Sequence, residues 1–269
     1  MKRAWLLILL TACGDEPRIA APERIGPPVV YASFSPLAYF AGRIAGDLAE
    51  VVCPLPADAD PITWQPDADA IRRFQEADLI LLNGANFEKW PSAVSLPDNR
   101  VVRTAAAFSA EWITYEEAVS HKHGPKGDAH SHEGVDGHTW LDPQLAHKQA
   151  EAIRDALIRL LPADRERIES NFAALASDLQ ALDRAFSALP TEGKRLVATH
   201  PAWNYPARRY GWNLVNDPAA KGDVRLWEGA PEKGGPKEVM FSPGEQPGEE
   251  DYLAVMRANL ERLKSALER

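Results

Sequence analysis

Residues 67–86 read DADAIRRFQEADLILLNGAN, and this stretch decides the fold class. A helix is predicted from Asp67 to Ala77. Asp78 to Asn83 follows at once, with the unbroken apolar core Leu79-Ile80-Leu81-Leu82. A strand without polar alternation is covered on both faces, the mark of a parallel sheet flanked by helices. Gly84 and Asn86 then turn the chain at the carboxyl end of that strand.

Working outward, the same alternation recurs. Val29 to Ala32 and Leu48 to Val52 are strand candidates on either side of a helix over Pro36 to Ile44, closed by Gly46, and Val101-Val102 adds another. Strands separated by helices pair in parallel, and their carboxyl ends are where ligands sit. Further on, Ala146, Ala150, Ile153, Leu157 and Leu160 step at helical spacing. A second helix starts near Asp164 and carries Ile168, Phe172, Leu175, Leu179, Leu182, Phe186 and Leu189 on one stripe. At 1.5 Å per residue it is about 35–40 Å long, enough to join two lobes. Leu196 to Thr199, Val224 to Trp227 and Glu238 to Phe241 are strand candidates of a second lobe, closed by a helix through Leu253, Met256, Leu260, Leu263 and Leu267. Pro206 is expected to kink or shorten the helix that Gly211 ends.

The predicted organisation is therefore an α/β protein of two lobes. Residues 29–163 form the first lobe, 164–190 the connecting helix and 191–269 the second lobe. Ahead of them, residues 1–13 read as a signal peptide. Met1-Lys2-Arg3 is basic, Ala4 to Leu10 is apolar, and Leu10-Thr11-Ala12-Cys13 matches the bacterial lipobox, in which Cys13 is lipidated. Residues 14–28 are a polar, Pro-rich tether. This places the folded part outside the cytoplasm on a lipid anchor, and leaves Cys53 without a disulfide partner. A net charge of −9 argues against nucleic acid as a partner and suits a cation.

Chemistry concentrates in residues 121–143, HKHGPKGDAHSHEGVDGHTWLDP, which hold five of the seven histidines. His-rich tracts are compositional metal-binding signals, and neutral imidazole is the commonest ligand for zinc-like ions. His121, His123, His130 and His132 lie among glycines and charges with no apolar period, so they are expected on a mobile, solvated loop as a secondary collector. His138 is different, because Asp142-Pro143 reads as an N-cap followed by proline at the first helical position. His200 stands where a strand hands over to a helix, and Glu228 at the end of another strand. Each has a plainer reading: a backbone-bonded histidine beside Trp140, a helix-capping histidine and a solvated acid.

These boxes, in this order, resemble the metal-receptor (solute-binding) lipoproteins of bacterial ABC importers for zinc and manganese. The resemblance runs through Asn83-Gly84-Ala85 with Phe87 and Trp90, the His-rich loop and His138-Thr139-Trp140-Leu141-Asp142-Pro143. It continues through Thr199-His200-Pro201 with Ala207-Arg208-Arg209-Tyr210-Gly211, then Trp227-Glu228-Gly229-Ala230-Pro231 and Tyr252 to Leu260. It implies a two-lobed receptor, not an enzyme, that binds a divalent metal between its lobes and delivers it to a membrane permease, as a monomer. Two departures matter. Ile62 stands where the family loop carries its first histidine, and Ser242 where many members carry a late carboxylate. The implied ligand set is then His138, His200 and Glu228, which suits Zn²⁺, with Mn²⁺ second because it favours oxygen ligands. Three protein ligands plus water is also the catalytic zinc pattern, but no His-Glu-x-x-His box accompanies them. The other alternative is a degenerate member that buffers zinc, or binds a partner, through its His-rich loop.

One expectation concerns the second lobe. Residues 216–223 and 229–237 are short for parallel crossovers, which usually carry a helix. That lobe is expected to be trimmed, with part of a sheet face uncovered or its strand order changed.

Overall fold

The structure, a computed structural model, describes residues 26–115, 119–122, 129–132, 134–231, 235, 237–248 and 251–269. The signal peptide, Cys13 and most of the tether lie outside the described residues, as does His123.

The first lobe is built from β1 (Val29–Ala32), α1 (Ser35–Ala45), β2 (Glu50–Val52), α2 (Ala68–Glu76), β3 (Leu79–Leu82) and β4 (Val101–Arg103). All four strands pair in parallel in the order β2-β1-β3-β4. Every residue of β3 is buried, as its apolar run requires. Helix α1 buries Leu37, Phe40, Ala41 and Ile44 and ends at Gly46, whose φ of 59° is cheap for glycine. Asp67 caps α2 by accepting from the Ala70 N–H at 2.8 Å. The outer face of this sheet packs Tyr31, Ile80 and Leu82 on Phe74 and Trp90.

The His-rich segment departs from expectation. Rather than an irregular loop, its described parts are a ribbon of β5 (Val119–Lys122) and β6 (Ala129–His132), antiparallel with His121 opposite His130. Isolated histidines are compatible with strand backbone once cross-strand hydrogen bonds replace water, and periodicity carries no trace of this when both faces are polar.

Helix α3 (Pro143–Leu160) begins as predicted, with the Asp142 carboxylate accepting from the Gln144 N–H and Pro143 in the first turn. Helix α4 (Arg165–Ser187) packs along α3 and α1. The second lobe holds β7 (Arg195–Ala198), α5 (Asn204–Tyr210), β8 (Asn213–Val215), β9 (Val224–Trp227), β10 (Glu238–Met240) and α6 (Tyr252–Leu267). Pro206 sits in the first turn of α5, where a missing N–H goes unnoticed, and the short helix closes on Gly211 at φ 67°. Helix α6 packs on β10, α4 and α1, so a four-helix layer backs both sheets.

Strand order in the second lobe matches that of the first. The unpredicted strand β8 pairs with β7, and the sheet reads β8-β7-β9-β10, all parallel, repeating the first lobe's pattern. The crossover from β8 to β9 works without a helix because residues 216–223 lie flat on the sheet. A Cβ at Gly222 would come within 2.6 Å of Val197 Cγ2, so only glycine permits that approach. Arg225 on β9 pins the crossover by donating to the carbonyls of Pro218 at 2.6 Å and Ala220 at 2.9 Å. Val197 beneath is fully buried.

One hydrophobic cluster runs unbroken from Val30, Phe34 and Phe40 in the first lobe through Trp140, Leu175 and Phe186 to Leu196, Leu226 and Phe241 in the second. The two lobes thus share one hydrophobic core.

Candidate metal centre

Both sheets direct their carboxyl ends toward the junction of the lobes. After β7, Thr199 extends the ladder through its N–H to the Leu226 carbonyl at 3.0 Å, and His200 follows, 2% exposed. From the first lobe, Asp136-Gly137-His138 arrives against the turn after β3. A Cβ on Gly137 would lie 2.7 Å from Cβ of Phe87, and the Gly137 carbonyl accepts from Asn83 Nδ2 at 2.8 Å. The chain is thus pressed onto the turn that carries Gly84, Ala85 and Asn86, all at positive φ. That turn is held by Glu88, whose carboxylate accepts from the N–H groups of Asn83 at 2.6 Å and Gly84 at 3.1 Å and from the Ser33 hydroxyl at 2.5 Å. Burial pushes the Glu88 carboxyl up from its ordinary value, and these hydrogen bonds oppose the shift.

The result is a pair of facing imidazoles. Nε2 of His138 stands 3.3 Å from Nε2 of His200, with ring centroids 5.2 Å apart and planes at 90°. His138 is fully buried, flanked by Trp140 at 5.4 Å and Phe87 at 5.8 Å. Its Nδ1 meets Asp136 Oδ1 at 2.8 Å. Asp136 in turn accepts from Asn204 Nδ2 at 2.9 Å, and its carbonyl from the Tyr205 hydroxyl at 2.7 Å. Burial first, and the charge of Asp136 second, raise the Tyr115 phenol, so it stays a donor to the Pro201 carbonyl at 2.8 Å.

Glu228 reaches the site differently from its expected place. Its Oε2 lies 3.7 Å from Nδ1 of His200, not at the nitrogen that faces His138. Among the described residues, no three His, Cys, Asp or Glu side chains close on one point. Ile62 is 4% exposed and belongs to the shared core. Ser242 is buried, with its hydroxyl accepting from the Gly244 N–H at 3.1 Å and its backbone bonded to Asn259. Three residues on, Glu245 is 3% exposed, and its carbonyl accepts from the Ser35 N–H across the lobe junction. Sequence reasoning missed Glu245, which sits in an irregular run after β10, and Asp136, whose only signal is its place two residues before His138. His121, His130 and His132 stay on their ribbon, apart from this pair in sequence.

The chain as a whole is similar to proteins already known. The family model "ZnuA: Zinc-uptake complex component A periplasmic" matches residues 30–226. The chain is 33% identical over 227 residues to zinc-binding lipoprotein AdcA of Streptococcus pneumoniae, covering 80% of this chain and 44% of that protein. It is 28% identical over 217 residues to the high-affinity zinc uptake system protein ZnuA of Bacillus subtilis, covering 79% of this chain and 68% of that protein. The chain thus spans under half the length of the S. pneumoniae relative. Among solved structures, the Zn(II)-bound ZnuA-like domain of S. pneumoniae AdcA superposes with a TM-score of 0.70 at 25% identity, over 91% of this chain and all of that one.

Proposed function

We propose that this chain, which belongs to the ZnuA family, is an extracytoplasmic receptor that takes up zinc at the lobe junction and passes it to an ABC importer. The observation that carries the reading is the 3.3 Å separation of the two facing Nε2 atoms. Zinc–nitrogen bonds of about 2.0–2.1 Å at a tetrahedral angle put two ligand nitrogens about 3.3 Å apart. Two imidazoles suit zinc better than manganese, which favours oxygen donors. The relatives' descriptions as zinc-binding and zinc-uptake proteins support the same cargo. In this reading His138 and His200 bind through Nε2. Glu228, the acid set 3.7 Å from Nδ1 of His200, is the proposed carboxylate donor. Water completes the shell. The membrane partner is the importer's permease, and lipidation at Cys13 tethers the receptor near it, as "lipoprotein" in the S. pneumoniae relative's name supports.

A second reading, a surface zinc buffer, draws on the ribbon register that sets His121 opposite His130. Stoichiometry separates the two. Calorimetric titration of metal-free protein is expected to give one tight zinc site that His138→Ala or His200→Ala removes. Glu228→Ala is expected to weaken that site less, and Glu245→Gln, measured beside it, tests the buried Glu245 carboxyl. Several weak sites untouched by the His138 and His200 variants would overturn the receptor reading.

A further inference from the structure

The structure assigns Asp136 and Asn204 as positioning residues that select which nitrogen His138 presents and tie that choice to the backbone of His200. This assignment rests on the metal reading above for its purpose, but its geometry stands without the ion.

Asp136 is fully buried, and its two carboxylate oxygens have separate duties. Oδ1 accepts from the His138 backbone N–H at 3.0 Å and stands 2.8 Å from the ring Nδ1. Oδ2 accepts from Asn204 Nδ2 at 2.9 Å. A carboxylate accepts and does not donate, so the ring nitrogen beside it must carry the proton. Neutral His138 is then the Nδ1–H tautomer, and its lone pair is on Nε2, pointing at His200. Carboxylate partners commonly orient metal-binding histidines in this way.

Asn204 keeps Asp136 in place and cannot be turned round. Its Nδ2 has three acceptors: Asp136 Oδ2, the Pro201 carbonyl at 3.2 Å and the Tyr115 hydroxyl oxygen at 3.5 Å. The Tyr115 hydroxyl donates within this same group, to the Pro201 carbonyl and toward Asp136. On the other side, Asn204 Oδ1 receives Asn216 Nδ2 at 2.7 Å. A flipped amide would set its oxygen against the Asp136 and Pro201 oxygens, so these two acceptors fix its orientation. Pro201 directly follows His200, so one side chain braces the carboxylate behind one imidazole and the turn that carries the other. The chain of donors starts at Asn216, just past β8, the edge strand that the sequence reading overlooked.

The test is made on the metal-free full chain, with ¹⁵N-labelled imidazoles read by two-bond proton–nitrogen correlation. His138 is expected as the Nδ1–H tautomer in the wild type. Asp136→Ala is expected to populate both tautomers and to weaken zinc binding about 10–100-fold, with Asn204→Ala shifting both readouts in the same direction. A merely structural role would lower the melting temperature and leave tautomer and zinc affinity alone, and that result overturns the assignment. So does a wild-type His138 protonated on Nε2, which decides the matter even if Asp136→Ala does not fold. A correct tautomer in a wild type that binds no zinc would sink the receptor reading and leave the positioning pair standing.

Discussion

Nε2 of His138 and Nε2 of His200 face each other across 3.3 Å, although the residues come from different lobes and the rings stand at right angles. On the proposed reading these are two donors of one shell, and such donors do not act independently. His138→Ala and His200→Ala are each expected to remove most of the tight zinc affinity, and the double variant little more than either alone. Additive losses in a calorimetric double-mutant cycle would mean that the two rings serve separate sites.

Ile62 is an apolar residue where the family's loop carries a ligand, and it is packed into the shared core. Ile62→His is expected to tighten zinc by supplying a third imidazole. The metal-free protein should lose about 1–3 kcal/mol, since a polar group replaces buried hydrocarbon. Denaturant melts with and without zinc check both halves. A variant that is destabilised but binds zinc no better would show that position 62 does not reach the ion.

How much of this was legible beforehand depends on which force decides each element. The buried strands and amphipathic helices were plain, because Leu79 to Leu82 and the α4 stripe write their burial into hydrophobic spacing. The ends of β7 and β9 followed, and with them His200 and Glu228. Strand β8 was not legible, since three residues around one leucine carry too little periodicity. Nor was the flat crossover, which depends on a single glycine and on an arginine that bonds to carbonyls. The approach of Glu228 to the far nitrogen of His200 is a matter of ångströms that no spacing encodes.

Histidine free of strong perturbation titrates near pH 6.5, and a zinc ligand must give up its proton. Weak zinc binding at His121, His123, His130 and His132 is therefore expected to fade as pH falls through about 6. Deleting residues 122–133 should abolish those weak sites and spare the tight one, with Asp136 and Gly137 left in place. Loss of the tight site in titrations of the deletion would make the ribbon part of the primary centre.

Gly137 is squeezed against Phe87, so Gly137→Ala forces the backbone before His138 to move. The expected cost is about 1–3 kcal/mol of stability, as for other overpacked positions. Zinc affinity should fall with it, because the displaced backbone carries His138, the proposed ligand. The contact is with Cβ and Cα of Phe87, which leucine keeps, so adding Phe87→Leu in the same chain should restore neither loss, and a calorimetric and thermal comparison of the variants tests this steric cause.

Burial raises the Glu88 carboxyl, so the folded state holds this proton more tightly than the unfolded chain does. Fewer protons on the unfolded state mean that this group's contribution to stability declines as pH rises through the window above the ordinary glutamate value, about 4.3. Glu88→Gln removes that slope. Urea midpoints measured from pH 4 to 7 should fall less with pH in the variant than in the wild type, and parallel curves would contradict it.

The shared core has a consequence for how the molecule melts and moves. Because one cluster of side chains passes from the first sheet through the helix layer to the second, neither half can lose its packing alone. Thermal unfolding should be a single cooperative transition rather than two. Large rigid-body swings of one half against the other would tear that cluster open, so the motion left for admitting and releasing an ion belongs to the segments that edge the junction.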